Sequence, residues 1–433
     1  MTVIRSNRVV VGEEVRPAAV RFEEGVIVGI GDYAPDHDFG DLVVMPGLVD
    51  SHVHVNEPGR TEWEGFESAT RAAAVGGTTT IVDMPLNSIP PTVNVRALEE
   101  KRAAAAGKLS VDVAFWGGLI PGTDSELTRL VEAGVCGFKS FLVDSGVVEF
   151  PPVTLELLGE VLPVLAELGV PALIHAEDPA QIFEIEGDPR DYDGYLASRP
   201  AVGEAAAIES LIELMGESEA RVHILHVSSL EAVAMLADAP GAISGETCPH
   251  YLMFDAGSIA NGATSFKCAP PIRATEHREA LWQGLIDGAL KMVVSDHSPA
   301  PGEMKSVDDG SFRDAWGGIG SLQLRLPATW TGAQGRDVAL TDLSRWLATE
   351  PARLAGLDDR KGAIGAGMDA DFVVWDPSGV TVVTGHELEH RHAITPYEGM
   401  TLQGRVEATI LHGEIVFEGA MVADRMGRML RRR

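Results

Sequence analysis

The sequence predicts an α/β protein: a TIM-type (β/α)8 barrel with a small flanking β-sandwich built from both chain ends. Three observations predict it. Eight short apolar runs of β character alternate with helix-like stretches through the middle of the chain, the pattern of βα units and a parallel sheet. Both ends are β-rich, and neither is sufficient alone. No Gly-rich nucleotide fingerprint follows the first strand of the middle region, which disfavours the competing doubly wound sheet.

Taken in order, residues 1–48 carry "TVIRSNRVVV" and "AAVRFEEGVIVGIG", short strands separated by turns. They form the N-terminal part of the sandwich. The barrel is expected over 49–361. Its strand candidates are "VVMPGLVDSHVHV", "GGTTTIVDMP", "SVDVAFWGGL", "GVCGFKSFLV", "VPALIHAEDP", "RVHILHVSS", "GAISGETCPHYL" and "LKMVVSDHSP". Between them "ESATRAAAVG", "VTLELLGEVLPVLAELG" and "EHREALWQGLIDGAL" read as helices. Residues 362–433 return to β character in "GAIGAGMDADFVVWDP" and "RVEATILHGEIVFEGA" and complete the sandwich. The end, "AMVADRMGRMLRRR", reads as a solvated basic terminus.

Bulk composition narrows the function. The chain carries 64 acidic and 34 basic residues, a formal net charge of -30. Such a surface repels nucleic acid and anionic membrane, so neither is an expected partner. No apolar run approaches the roughly 20 residues of a membrane span, and the start lacks a secretory h-region. Cys136, Cys248 and Cys268 are widely spaced and form no CxxC pair, which suits a reducing cytoplasm. A cytoplasmic protein is expected.

The chemistry lies at the predicted strand ends. Residues two apart in a strand share a face, so His52 and His54 in "DSHVHV" point together. At the end of a barrel strand that face is the C-terminal mouth, where active sites of this fold sit. Lys139 ends the fourth predicted strand, His175 the fifth, His226 the sixth and Asp296 the eighth. A lone buried histidine is usually a hydrogen-bonded core residue. Four histidines and an aspartate in one apolar mouth are costly unless something holds them, and neutral imidazole with carboxylate suits zinc and similar divalent ions. His223 and His297 fall on the opposite face, and His250 reads as structural or supporting. Lys139 is the odd member, because an ammonium beside cations is repelled. Either it pairs with Asp144 or Glu177, or its lowered pKa lets it take up carbon dioxide as an anionic carbamate.

In this order the residues resemble the cyclic amidohydrolases of the amidohydrolase superfamily. That pattern is HxH after strand one, lysine on strand four, histidines on five and six, aspartate on eight. Here it reads "DSHVHV", "GFKSF", "LIHAED", "ILHVSS" and "VSDHSP". The likeness spans nearly the whole chain, including "CAPPIR". It implies two divalent metal ions, usually zinc, bridged by a carboxylated Lys139. His52, His54 and Asp296 would hold one ion, His175 and His226 the other. It further implies a metal-bridged hydroxide attacking a ring amide, with Asp296 as general base and then acid. Asn87 and the backbone of Ala269 and Gly317 would contact the substrate, although Asn87 reads equally as a turn residue before proline. A homotetramer or dimer is also implied.

Within that group the chain is most similar to the allantoinase family, through "NEPGRTEWEGFESATRAAAVGGTTTIVDMPLNSIPPTV", "ETCPHYL", "SDHSPAPGEMK" and "AWGGIGSLQ". Dihydroorotases resemble it next. They usually carry an arginine two residues after the second metal histidine, where this chain has Asn56, and "MPNT" where it has "MPLNSIPP". A neutral Asn56 leaves an anionic ring without a charge-assisted partner. That favours an uncharged hydantoin-type ring such as allantoin, opened to allantoate. Arg60 lies close enough to substitute, but pairing with Glu57, Glu62 or Glu64 is the expected role. Hydantoinases and dihydropyrimidinases usually carry a tyrosine after the strand-four lysine, and "KSFLVDSGVVEFP" has none. A non-catalytic relative would have lost ligands; all six are present.

Overall fold

A computed structural model of the chain describes residues 1–216, 218–423 and 425–432. Each of the eight expected runs contains a strand. Three of them, Leu48–Val53, Thr78–Asp83 and Asp112–Phe115, form one parallel sheet. A second parallel sheet runs through Gly117–Gly118, Phe138–Phe141, Pro171–His175, Arg221–Ile224, Ile243–Thr247 and Met292–Val293. Backbone bonds continue beyond both. Cys136 N donates to Phe115 O, and His54 N donates to His297 O at 2.8 Å beside a parallel bridge between Val53 and His297. Strands such as Leu48–Val53 and Thr78–Asp83 are buried at every position. They are covered on both faces, so burial does not alternate along them.

Helices pack outside the strands where amphipathic periodicity placed them. Leu155–Leu168 starts where Thr154 accepts from Leu157 N and stops at Gly169, whose φ of 66° suits a residue without Cβ. Its Leu158, Val161, Leu162 and Leu165 form the buried stripe. Phe66–Val75 and Thr275–Asp287 occupy the other two expected stretches.

The first strand run divides in two. Val43–Pro46 belongs to a different sheet from Leu48–Val53, with Gly47 between them. A Cβ at Gly47 would stand 2.3 Å from Thr79 Oγ1, so the crossing point admits only glycine. Val43–Pro46 pairs with Arg8 and Val9 on one side and with Phe372–Trp375 on the other. It thereby joins both chain ends into one nine-stranded sheet. The sheet curls back on itself. Val26 bridges Asp369, and the Phe22 and Phe372 rings stand 5.9 Å apart over a second apolar cluster.

The basic tail differs from expectation. Its side chains are mostly exposed, but its backbone is tied down: Gly427 N donates to Leu109 O, Val113 N to Arg428 O and Leu430 N to Val113 O. Leu430 is buried, and the Asp112 carboxylate accepts from Arg428 N at 2.8 Å. The tail is pinned by its backbone and by Leu430, while Arg425, Arg428 and Arg431 stay exposed. Asp424 and Arg433 lie outside the described residues. The three cysteines are free and buried. Among the described residues no helix is long and apolar enough to cross a membrane.

Candidate metal centre

All six expected ligands, with Asn87, Ala269 and Gly317, line one cavity of about 560 Å³. His175 ends its strand, and His54, His226 and Asp296 follow theirs by one to three residues. Lys139 lies inside its strand, Phe138–Phe141, rather than at its end. His226 and Asp296 adopt φ of 37° and 45°, and Asn87 65°. Non-glycine residues there cost of order 1–3 kcal/mol each and persist where the surroundings hold them, typically at functional sites.

Donor atoms of His52, His54 and Asp296 all lie within 4.8 Å of one another. Asp296 Oδ1 stands 3.1 Å from His52 Nε2 and 3.6 Å from His54 Nε2. His175 Nδ1 and His226 Nε2 face each other at 3.0 Å. Two ring atoms, His52 Nε2 and His226 Nδ1, are buried without a hydrogen-bond partner.

Burial dominates the electrostatics. It pushes His54 down to about 4 against the pull of Asp296, and lowers His175 and, further, His226. The rings are therefore neutral and offer lone pairs. Burial opposes the charge of Asp296 too, but His52, His54 and His226 outweigh it and hold the carboxyl well below its usual range. Lys139 is pushed by burial down to about 7, against Asp296 and Glu246. It pairs with neither Asp144 nor Glu177; its Nζ sits 4.2 Å from the centre of the Phe141 ring. Glu177 instead contacts His175 Nε2 at 2.6 Å and Arg199.

A supporting shell lies beneath. Glu246 Oε1 contacts His52 Nδ1 at 2.6 Å, and its Oε2 meets His223 Nε2 at 3.0 Å. A carboxylate on Nδ1 fixes the tautomer and leaves Nε2 free to bind a cation. Sequence reasoning passed over Glu246. Its signal was the one acidic residue of the seventh strand run, "GAISGETCPHYL". His250 is buried with both ring nitrogens unpartnered. Asn87 Nδ2 lies 3.4 Å from His54 Nδ1, and its Oδ1 has no partner.

Two expectations about the entry loop change. Arg60 pairs with none of Glu57, Glu62 or Glu64. It binds Glu149 at 3.2 Å and the Asn87 carbonyl at 2.9 Å, and lies over the Trp63 ring. Glu57 is taken by Lys108 and by Phe66 N. Asn56 is fully buried with a φ of 67° and is not part of the cavity wall.

Neutral imidazoles, an ionised carboxylate and unpartnered ring nitrogens at one end of a parallel α/β array define a site suited to divalent cations. The chain belongs to the amidohydrolase family, whose model matches residues 43–416. It is 46% identical to an allantoinase of Streptomyces avermitilis, over 99% of this chain and 98% of that one. It is 45% identical to an allantoinase of Saccharomyces cerevisiae, over 87% and 83%. A solved L-hydantoinase (dihydropyrimidinase) from Arthrobacter aurescens superposes on the whole of both chains with a TM-score of 0.93 at 29% identity.

Proposed function

We propose that this protein opens the hydantoin ring of allantoin to allantoate, in a (β/α)8 barrel whose curled outer sheet is a β-sandwich domain. The observation that carries the substrate is the 46% identity to an allantoinase across 99% of the chain. The donor set supports metal dependence. We assign His52, His54 and Asp296 to one divalent ion, His175 and His226 to a second, and zinc as the metal. Lys139, as a carbamate, would help to hold both. Its neutral amine forms an N–C bond with carbon dioxide and releases a proton, so a repelled cation becomes an anionic ligand. When bound, the ions supply an acidified water and polarise the ring carbonyl.

The remaining steps belong to the chain. Glu246 holds His52 in the tautomer that presents Nε2. The Asp296 carboxylate takes the proton of the attacking water and then gives it to the leaving ring nitrogen. Asn87 and the backbone of Ala269 and Gly317 orient the ring, so attack falls on one carbonyl. Purified protein, chelated and reloaded with zinc, would be given racemic allantoin and dihydroorotate side by side. Allantoate formation without action on dihydroorotate is expected. The reverse result would move the protein to the dihydroorotase branch. Uptake of isotope-labelled bicarbonate, lost in Lys139→Ala, tests the carbamate.

A further inference from the structure

The last residue of "SDHSPAPGEMK", Lys305, holds no metal in this reading, yet it is 2% exposed. Its ammonium donates to three carbonyls: Lys267 at 3.1 Å, Trp316 at 2.9 Å and Gly318 at 2.8 Å. A lysine has three donors, and all three are used. The acceptors lie on the two backbone segments that carry Ala269 and Gly317. Gly318 N also donates to Lys267 O at 2.9 Å, which ties the same segments together.

A trans peptide points its C=O and N–H in opposite directions. With the Trp316 carbonyl turned onto Lys305, the Gly317 N–H faces away from the ammonium, and Gly317 lines the cavity. On the neighbouring segment the Tyr195 hydroxyl donates to the Cys268 carbonyl at 2.6 Å and sets the plane of the Cys268–Ala269 peptide. Ala269 N lies 3.8 Å from where a Cβ on Gly317 would stand, so the two amides are neighbours. Among the described residues neither amide donates to another backbone carbonyl. The wall of the cavity thus presents a pair of backbone donors whose register is set from behind.

We propose that Lys305 is a positioning residue for ring recognition: its ammonium holds the two segments in the register at which the Gly317 and Ala269 amides meet the substrate. The assignment rests on the reading that those backbone groups contact the ring. It predicts a defect in substrate handling rather than in metal holding.

Lys305→Met keeps the apolar stem and removes the donors. Metal-loaded wild type and variant would be assayed on allantoin, hydantoin, dihydrouracil and dihydroorotate, with metal content measured on each preparation. Metal content should stay at the wild-type level. KM should rise about tenfold and kcat/KM fall about a hundredfold, the scale of an ångström-sized misplacement. A merely structural role would lower the folded fraction, and with it the apparent kcat, and leave KM unchanged. Tyr195→Phe, a milder change, should raise KM severalfold. Wild-type KM in Lys305→Met overturns the proposal. If that variant does not fold, an unchanged KM in Tyr195→Phe overturns it instead. A wild type that opens a ring other than allantoin overturns only the substrate, and Lys305 is then judged on that ring. A wild type that opens none overturns the underlying reading and this one together.

Discussion

Two buried polar clusters occupy opposite ends of the parallel array, and only one has the character of a site. At the N-terminal end, Asp112, Asp369 and His412 bring donor atoms within 4.8 Å of one another, as His52, His54 and Asp296 do at the other end. Proximity alone does not separate them; completion does. Lys361 Nζ stands 2.7 Å from Asp112, 2.9 Å from Asp369 and 2.6 Å from Asp371, and His412 Nε2 is 3.0 Å from Asp112. There the chain supplies its own cation. At the C-terminal end the lysine, Lys139, makes no salt bridge among the described residues, and ring nitrogens of His52, His226 and His250 make no hydrogen bond. A buried charge is tolerated when paired and hydrogen-bonded. The first cluster meets that condition from within, and the second is built to meet it with something bound.

The contrast can be broken by exchanging losses. Asp296→Asn should lower kcat by about 10²–10⁴-fold, the usual weight of a general base, while the melting temperature stays near that of wild type. Lys361→Met should do the opposite. It strands buried carboxylates and should cost about 3–5 kcal/mol of stability in denaturant unfolding, while the folded fraction keeps its metal and its turnover. Loss of metal from Lys361→Met would mean that the two ends are not independent. Glu246→Gln should weaken metal affinity or activity by about 10–100-fold, as loss of an outer carboxylate does elsewhere; metal competition titrations would read it.

The smallest expected effect is on acid stability. Burial works against the charge of Asp112, but Lys361 and His412 outweigh it and hold the carboxyl at about 2, against an ordinary 3.8. For a depressed carboxyl, the stabilisation is complete above the ordinary value and is lost as pH falls toward the folded one. Lys361 is raised, chiefly by Asp371 and Asp112 acting against burial, so its share persists until strongly alkaline pH. Metal-free protein should therefore lose stability in two stages as pH falls: first below about pH 6.5, where the unfolded state protonates histidines that burial keeps neutral in the fold, and further below about pH 4, where Asp112 joins. In Asp112→Asn that acid arm should be shallower. An unchanged arm would show that Asp112 does not carry it.

What was legible in the sequence was local or periodic. The shared face of His52 and His54 follows from a two-residue repeat, and the three helices follow from apolar stripes. The alternation of runs with helical stretches located all eight strands, although buried strands such as Thr78–Asp83 and Ile243–Thr247 carry few apolar residues of their own. Partnerships across long separations left no such trace. Arg60 was assigned to neighbouring glutamates and instead found Glu149. Of the two readings open for Lys139, pairing with Asp144 or Glu177 is the one the fold removes, because its ammonium sits over the Phe141 ring instead. Asn56 was singled out through the resemblance, as standing where dihydroorotases carry an arginine; that it is buried away from the cavity wall left no local trace. The tail looked solvated because its arginines are conspicuous, while its one buried leucine is not. Glu246 and Lys305 act through contacts that only the folded chain assembles.

The three buried thiols have a practical consequence for watching the molecule come apart. Burial pushes Cys136 and Cys268 up to about 12 and raises Cys248 as well. Alkylating reagents attack the thiolate, so the native protein is nearly silent to them near neutral pH. Cys136 lies before the strand Phe138–Phe141, Cys248 after Ile243–Thr247, and Cys268 beside Ala269. Their labelling rates, read one by one by mass spectrometry, become three separate clocks for the opening of the array and of the substrate wall.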